Sequence, residues 1–375
     1  MSRLNQYLAS KLEERKQAGN LRSLKTGRKA TDFFSNDYLG LATTGLLDDI
    51  ITTTYKHNGT TGSTGSRLLS GNTLLATELE DTIAQFHKAE AALLFNSGYD
   101  ANTGLISAIS DRHTTILYDE LCHASIIDGI RLSLHANKYK FRHNDVADLA
   151  EKLQQHKDKG TILVITESVF SMDGDMAPLG AMAQLCAENE ANLIVDEAHA
   201  TGVFGSNGQG LVCHLGLESK VFARVHTFGK ALGCHGAAVA GSALLKDFLI
   251  NFSRQFIYTT ALPPHSLQAI ACAYQYLSNS TFTHQPLHDL IAYFREQVAQ
   301  TSCKGWMDSP SPLQALVVGD NERSKELASR LQSAGLQINA ILSPTVPKGM
   351  ERLRVCLHTF NTRQEIDRLI HEVKR

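Results

Sequence analysis

From about Ala91 the chain alternates short β-rich runs with helical stretches, and no other feature constrains its fold as strongly. The runs are AALLF (91–95), TTILYD (114–119), TILVIT (161–166), NLIVD (192–196), VFARVHTF (221–228) and AAVAGS (237–242). Each is apolar, short and bounded by Gly, Asp, Ser or Asn, as fully buried strands are. Strands separated by helical lengths of chain predict an α/β fold with a mostly parallel sheet and crossover helices. The last hundred residues change character. A helical stretch from about Leu287 leads to a strand LQALVVG (313–319), a helix around 323–336, a strand RLRVCL (352–357) and a helix opened by a Thr362/Glu365 capping box. This predicts a smaller α+β domain, with the polar stretch SNSTFTHQP marking the boundary. The expected organisation is an N-terminal helical segment over 1–36, a large domain over 37–280 and a small C-terminal domain over 281–375.

Composition narrows the function classes. With 375 residues the chain can bury a large core, and with a net charge of -2 and 20% charged residues it carries no bias towards nucleic acid or a membrane surface. The polar N-terminal stretch lacks an apolar signal core and no later run approaches a bilayer span, so a cytoplasmic location is expected. Seven cysteines stand singly at 122, 186, 213, 234, 272, 303 and 356, without a CxxC pair, which argues against a disulfide framework or a thiolate zinc site. The sixteen histidines form no HExxH or HxH cluster, so no metal is expected.

In a parallel α/β sheet, ligands gather at the carboxyl ends of the strands. NLIVD ends in Asp196 and continues EAH, so Asp196 and His199 leave one strand three residues apart and can face one cleft. VHTF leads from Thr227 into Gly229 and Lys230, and AALLF leads into Ser97, Gly98 and Tyr99. A carboxylate, a lysine and a small-residue phosphate loop at neighbouring strand ends suit a pyridine-ring cofactor with a phosphate tail. The acid would keep the ring nitrogen protonated, the amine would form an imine and move protons, and free N–H groups opening the helix after Ser97 would hold the phosphate. Taken singly, each element has a plainer reading: Lys230 as a surface lysine, His123 as a helix cap. DEAH also spells the magnesium box of a nucleotide-driven motor, but the chain has no GxxxxGK[ST] loop.

Eight segments together resemble the α-oxoamine synthases, a pyridoxal-phosphate family of the aspartate-aminotransferase fold (fold type I). They are SNDYLGL (35–41), GSTGSRLLSGN (62–72), FNSGYDAN (95–102), HASIIDG (123–129), TESVFSMDGDMAPL (166–179), VDEAHATGVFG (195–205), TFGKALG (227–233) and YTTALPP (258–264). The similarity runs from NLRSL at 20–24 to RLRVCL at 352–357. It implies a seven-stranded, mostly parallel sheet and pyridoxal 5'-phosphate held covalently on Lys230. Asp196 would pair with the pyridinium nitrogen and His123 would stack on the ring face. Ser171 and His199 would lie around the phenolic oxygen, and Gly98, Tyr99 and Thr227 would bind the phosphate. Thr259 or Thr260 would come from the second subunit of a homodimer. Arg22, His123, Thr345 and Arg354 match substrate-contacting positions.

TFGKALG, YTTALPP and SPTVPKG (343–349) are most similar to the branch that joins L-alanine to a pimeloyl thioester, carried by coenzyme A or an acyl carrier protein, on the way to biotin. Glycine- and serine-using sister synthases share HASIIDG. Leu342 stands where many members of the alanine branch carry an arginine, a departure that touches acyl specificity but none of the cofactor residues. A silent scaffold subunit has no need of a lysine buried near an acid. An aminotransferase or lyase would share Lys230 and Asp196 but would leave the acyltransferase-like segments unexplained.

Overall fold

The computed structural model describes residues 2–24, 26, 30–55, 60–157, 160–301 and 303–374. Its contacts divide into two compact units, one built from Asn36–Ser171 and Met176–Gln285, the other from Met1–Ser35, Met172–Asp175 and Pro286–Arg375. The N-terminal segment, set apart in the sequence reading, thus falls with the C-terminal one.

The larger unit is organised on a seven-stranded sheet. Its strands are β1 (Ala91–Phe95), β2 (Thr114–Asp119), β3 (Asn137–Phe141), β4 (Thr161–Glu167), β5 (Asn192–Asp196), β6 (Ala223–Thr227) and β7 (Ala237–Gly241). They lie in the order β1-β7-β6-β5-β4-β2-β3, and only β7 runs antiparallel to its neighbours. Six of the seven strands coincide with the apolar runs. The seventh, β3, reads NKYKF and has no apolar run because, at its edge of the sheet, only Phe141 is buried. Asn137, Tyr139 and Lys140 are exposed, and lysines on an edge discourage pairing with another chain.

Period-two alternation separates the two faces of the sheet. On one face Phe95, Ile116, Ile165, Ile194, Val225 and Val239 form a continuous apolar core with Leu105 and Ile126 of the helices α1 (Gly98–Ala108) and α2 (Ala124–Leu132). The alternate residues of β6, Arg224 and His226, are also buried, but in a polar setting. The rings of His226 and His87 stack with centroids 3.5 Å apart. His87 Nδ1 lies 2.9 Å from the Gln209 carbonyl, its Nε2 2.8 Å from the Tyr274 hydroxyl, and His226 Nδ1 2.8 Å from Thr201 Oγ1. Arg224 donates to the His87 carbonyl at 2.6 Å.

The smaller unit holds a three-stranded antiparallel sheet in the order β8 (Asn339–Ile341), β9 (Arg352–Cys356) and Leu313–Val317, with helices Gln285–Ala299, Asn321–Ser333 and Arg363–Lys374. The capping box forms as read: Thr362 N–H donates to Glu365 Oε2 at 2.8 Å, and Glu365 N–H donates to Thr362 Oγ1 at 3.2 Å. Two-residue strands Thr31–Asp32 and Leu336–Gln337 pair in parallel and tie the N-terminal segment into this unit. They are too short to leave a pattern in the sequence. Arg352 pairs with Asp173 of the inserted Met172–Asp175 loop.

The buried histidine pair makes a prediction about acid stability. Burial, and then the charge of Arg224, lower the pKa of His87 to about 3, and burial together with the neighbouring His87 and Arg224 lowers that of His226 well below its usual value. Below about pH 6.5 the unfolded chain therefore binds protons that the folded chain refuses, and stability is lost as pH falls towards 3. His226→Asn, which keeps a partner for Thr201 but cannot protonate, should lose less melting temperature between pH 6.5 and 4 than wild type. Parallel curves would contradict this reading.

Candidate active site

The carboxyl ends of β4, β5 and β6 bring the site together, because a loop leaving a parallel strand emerges on that side of the sheet. Asp196 is the last residue of β5 and is 5% exposed. Its Oδ1 accepts from Ala198 N–H at 2.9 Å and its Oδ2 from Asn102 Nδ2 at 2.7 Å. Glu197 points the other way, as strand alternation requires, and accepts from the N–H groups of Leu211 and Val212 at 2.7 and 3.1 Å. Gly210, at φ +105°, is held beside it, where any Cβ would collide with the Glu197 carboxylate. The chain after Asp196 is thereby fixed at both ends, and His199 is buried. His199 Nε2 lies 2.7 Å from Lys230 Nζ, and its Nδ1 lies 2.7 Å from the Tyr38 hydroxyl.

His123 caps α2: its Nδ1 accepts from Ser125 N–H at 3.2 Å and lies 2.8 Å from Ser125 Oγ. Its own N–H donates to Glu167 Oε1 at 2.6 Å. Burial pushes the His123 pKa down, Asp196 pulls it up and Lys230 pushes it down again. The ring therefore feels both the acid and the lysine. The helix-cap reading of His123 thus holds, and the cap leaves the ring within the field of both groups.

Ser97 caps α1, accepting from Asp100 N–H at 3.1 Å, and leaves the first-turn N–H groups of Gly98 and Tyr99 without acceptors inside the helix. A Cβ on Gly98 would strike Thr227 Oγ1 at the end of β6, so the glycine keeps open the space in front of that hydroxyl. Thr259 and Thr260 lie against Asn96 of the same chain, whose Nδ2 donates to Thr259 Oγ1 at 2.8 Å and to the Thr260 carbonyl at 2.9 Å. Ser171 is buried at the end of its segment of the larger unit. Arg22, Thr345 and Arg354 belong to the smaller unit. There Arg22 donates to Thr345 Oγ1 at 3.2 Å, and Arg354 stands on β9.

Four residues of the site were not singled out in the sequence: Tyr38, Asn102, Ser125 and Glu167. All lie inside segments that carry the family resemblance, and Asn102 follows Gly98 by one helical turn, which puts it on the same face of α1. Glu167 pairs in register with Asp196 and is fully buried. Burial, and then the neighbouring Asp196, push its pKa up to about 8. The folded chain thus holds a proton there between about pH 4.5 and 8 that the unfolded chain gives up, so this stabilisation is present below 4.5 and lost as pH rises through 8. Glu167→Gln can still accept from His123 N–H. Without cofactor it should melt increasingly above wild type as pH rises from 5 to 8.5; an unchanging difference would contradict the assignment.

The family model for aminotransferase class I and II matches residues 28–373. An 8-amino-7-oxononanoate synthase of Emericella nidulans is 42% identical over 92% of this chain and 88% of its own length. One of Trichlorobacter lovleyi is 40% identical over 99% of this chain and 97% of its own. A solved serine palmitoyltransferase, described with its PLP internal aldimine, superposes with a TM-score of 0.90 at 25% identity, covering 100% of this chain and 98% of that one.

The residues present fit pyridoxal phosphate. A buried carboxylate held by two neutral N–H donors calls for a cation, which a pyridinium supplies. An amine stands beside a hydrogen-bonded histidine, and a helix start with unused N–H groups, kept open by Gly98, suits a phosphate. The chain belongs to the aminotransferase class I and II family of pyridoxal-phosphate-dependent enzymes and, within it, to the branch whose curated members are 8-amino-7-oxononanoate synthases.

Proposed function

We propose that this enzyme joins L-alanine to a pimeloyl thioester, carried by coenzyme A or an acyl carrier protein, to give 8-amino-7-oxononanoate, carbon dioxide and free thiol. The names of the relatives at about 40% identity over nearly the whole chain support the reaction class. The observation that carries the chemistry is the Lys230 amine 2.7 Å from His199, on the loop that follows Asp196. When bound, pyridoxal phosphate supplies an electron-withdrawing ring that takes up the electron pair released when the Cα–H bond of the amino acid breaks.

The protein's own residues then divide the work. Lys230 would hold the cofactor covalently until alanine displaces it, and its freed amine would take the Cα proton and later return one. Asp196, fixed by Asn102 and the Ala198 N–H, would hold the proton on the ring nitrogen. His199 would bind the phenolic oxygen together with Ser171. Gly98, Tyr99 and Thr227 would anchor the phosphate, helped by Thr259 or Thr260 from a second subunit of a homodimer. His123 would stack on the ring and hydrogen-bond the substrate, Arg354 would bind the amino-acid carboxylate, and Arg22 and Thr345 would contact substrate. Leu342 in place of an arginine leaves one carboxylate or acyl-chain contact to be made differently. A cytoplasmic location fits a chain among whose described residues no helix is long and apolar enough to cross a membrane.

The TM-score of 0.90 to a serine palmitoyltransferase favours a second reading, a sister synthase using serine or glycine. Incubation with alanine, glycine or serine and a pimeloyl thioester separates the readings. Thiol release and carbon dioxide should appear with alanine; release with glycine or serine instead would transfer the enzyme to a sister activity. Lys230→Ala should lower turnover at least about 100-fold, the usual scale for loss of a general base, while cofactor still binds.

A further inference from the structure

Three buried polar groups, Asp196, Asn102 and Ser125, form a hydrogen-bonded chain that ends on the ring of His123. Asp196 Oδ2 is 2.7 Å from Asn102 Nδ2, which is also 3.0 Å from Ser125 Oγ, which is 2.8 Å from His123 Nδ1. Asn102 is 2% exposed and Ser125 1%. We propose that Asn102 and Ser125 are positioning residues that lock His123 as the neutral tautomer with its proton on Nε2, making it a one-way hydrogen-bond donor to the substrate.

The argument is a count of donors and acceptors. Both Asp196 oxygens accept, Oδ1 from the Ala198 N–H at 2.9 Å and Oδ2 from Asn102 Nδ2 at 2.7 Å. The Asn102 amide cannot be turned over, because its oxygen would then face a carboxylate oxygen at 2.7 Å with no proton between them. Both Asn102 Nδ2 protons are therefore committed, one to Asp196 and one to Ser125 Oγ. Ser125 Oγ accepts that proton on one lone pair and can turn its own hydrogen towards His123 Nδ1, 2.8 Å away. The Ser125 backbone N–H points at the same nitrogen, at 3.2 Å, as the N-cap of α2. A proton on Nδ1 would meet this backbone N–H, which cannot turn away as a hydroxyl can, so the ring's single proton sits on Nε2.

The charged and titratable groups around the ring are Asp196 from β5, Glu167 from β4, which accepts the His123 N–H, and Lys230. The attraction of Asp196 for an imidazolium is opposed by burial and by Lys230, and the two donors at Nδ1 add to that opposition. His123 is thereby fitted to hydrogen-bond an oxygen of the substrate, a carboxylate or a developing ketone, rather than to act as a cationic acid. This inference deepens the proposed function only in naming what Nε2–H meets; the tautomer rests on the hydrogen-bond chain alone.

Nuclear magnetic resonance of deuterated protein labelled with 15N-histidine tests it, with the His123 signals identified by their loss in His123→Gln. In wild type, with or without pyridoxal phosphate, long-range proton–nitrogen correlations should give a neutral ring protonated on Nε2 from about pH 8 down to about pH 6, across the range where an unconstrained histidine titrates. Ser125→Ala and Asn102→Ala should each give a mixture of tautomers and raise the pH at which His123 protonates, and Ser125→Thr should restore the wild-type signature. Turnover should fall about ten-fold in Ser125→Ala, the worth of one hydrogen bond, with the cofactor spectrum unchanged. An Nδ1-protonated or cationic ring in wild type at pH 7 would overturn the proposal without recourse to any variant, as would a Ser125→Ala signature identical to wild type. Failure of the alanine assay would remove the substrate reading and leave this result standing.

Discussion

A carboxylate buried at the end of β5 must be stabilised by something, and that requirement organises the rest of the site. Asp196 is 5% exposed, and its two oxygens accept from an asparagine amide and a backbone N–H, both neutral. Hydrogen bonds of this kind hold a carboxylate in place but do not supply its countercharge. The neighbouring Glu167 responds by favouring its protonated form, since two adjacent buried carboxylates cannot both ionise cheaply. A cationic ring nitrogen relieves the remaining cost, so the acid selects its cofactor by charge and position together.

The sheet makes this arrangement rigid. β4, β5 and β6 are parallel neighbours buried on both faces; their ends deliver Glu167 and Asp196 in register, with Thr227 two residues beyond the Val225 that pairs with Asp196. Helices α1 and α2 bring Gly98, Asn102, His123 and Ser125 to the same ends through their N-terminal turns. Each helix start is closed by its own cap, Ser97 for α1 and the His123 ring for α2, so capping and site chemistry use the same side chains. A substitution there must serve the helix start as well as the ligand.

Much of this was legible in the sequence. Apolar runs bounded by turn residues mark six strands of the sheet, and polar residues at three of their ends mark Asp196, His199, Lys230 and the Gly98 loop. The edge strand β3 escaped because its residues answer to solvent on one side rather than to a core. Asn102, Ser125, Glu167 and Tyr38 escaped for a different reason. Each acts on another site residue through a contact between distant segments, 94 positions apart for Asn102 and Asp196 and 161 for Tyr38 and His199, and no local pattern records such a pairing. The family resemblance enclosed all four without distinguishing them from their neighbours.

The central claim is that the amine at position 230 carries the cofactor over the acid at 196. Reduction of the cofactor-loaded protein with borohydride, followed by proteolysis and mass spectrometry, tests it directly. The account predicts that the pyridoxyl group is found on the peptide containing TFGKALG, fixed to Lys230, with loss of the visible imine absorbance. A pyridoxyl group on another lysine, or none at all, would contradict it.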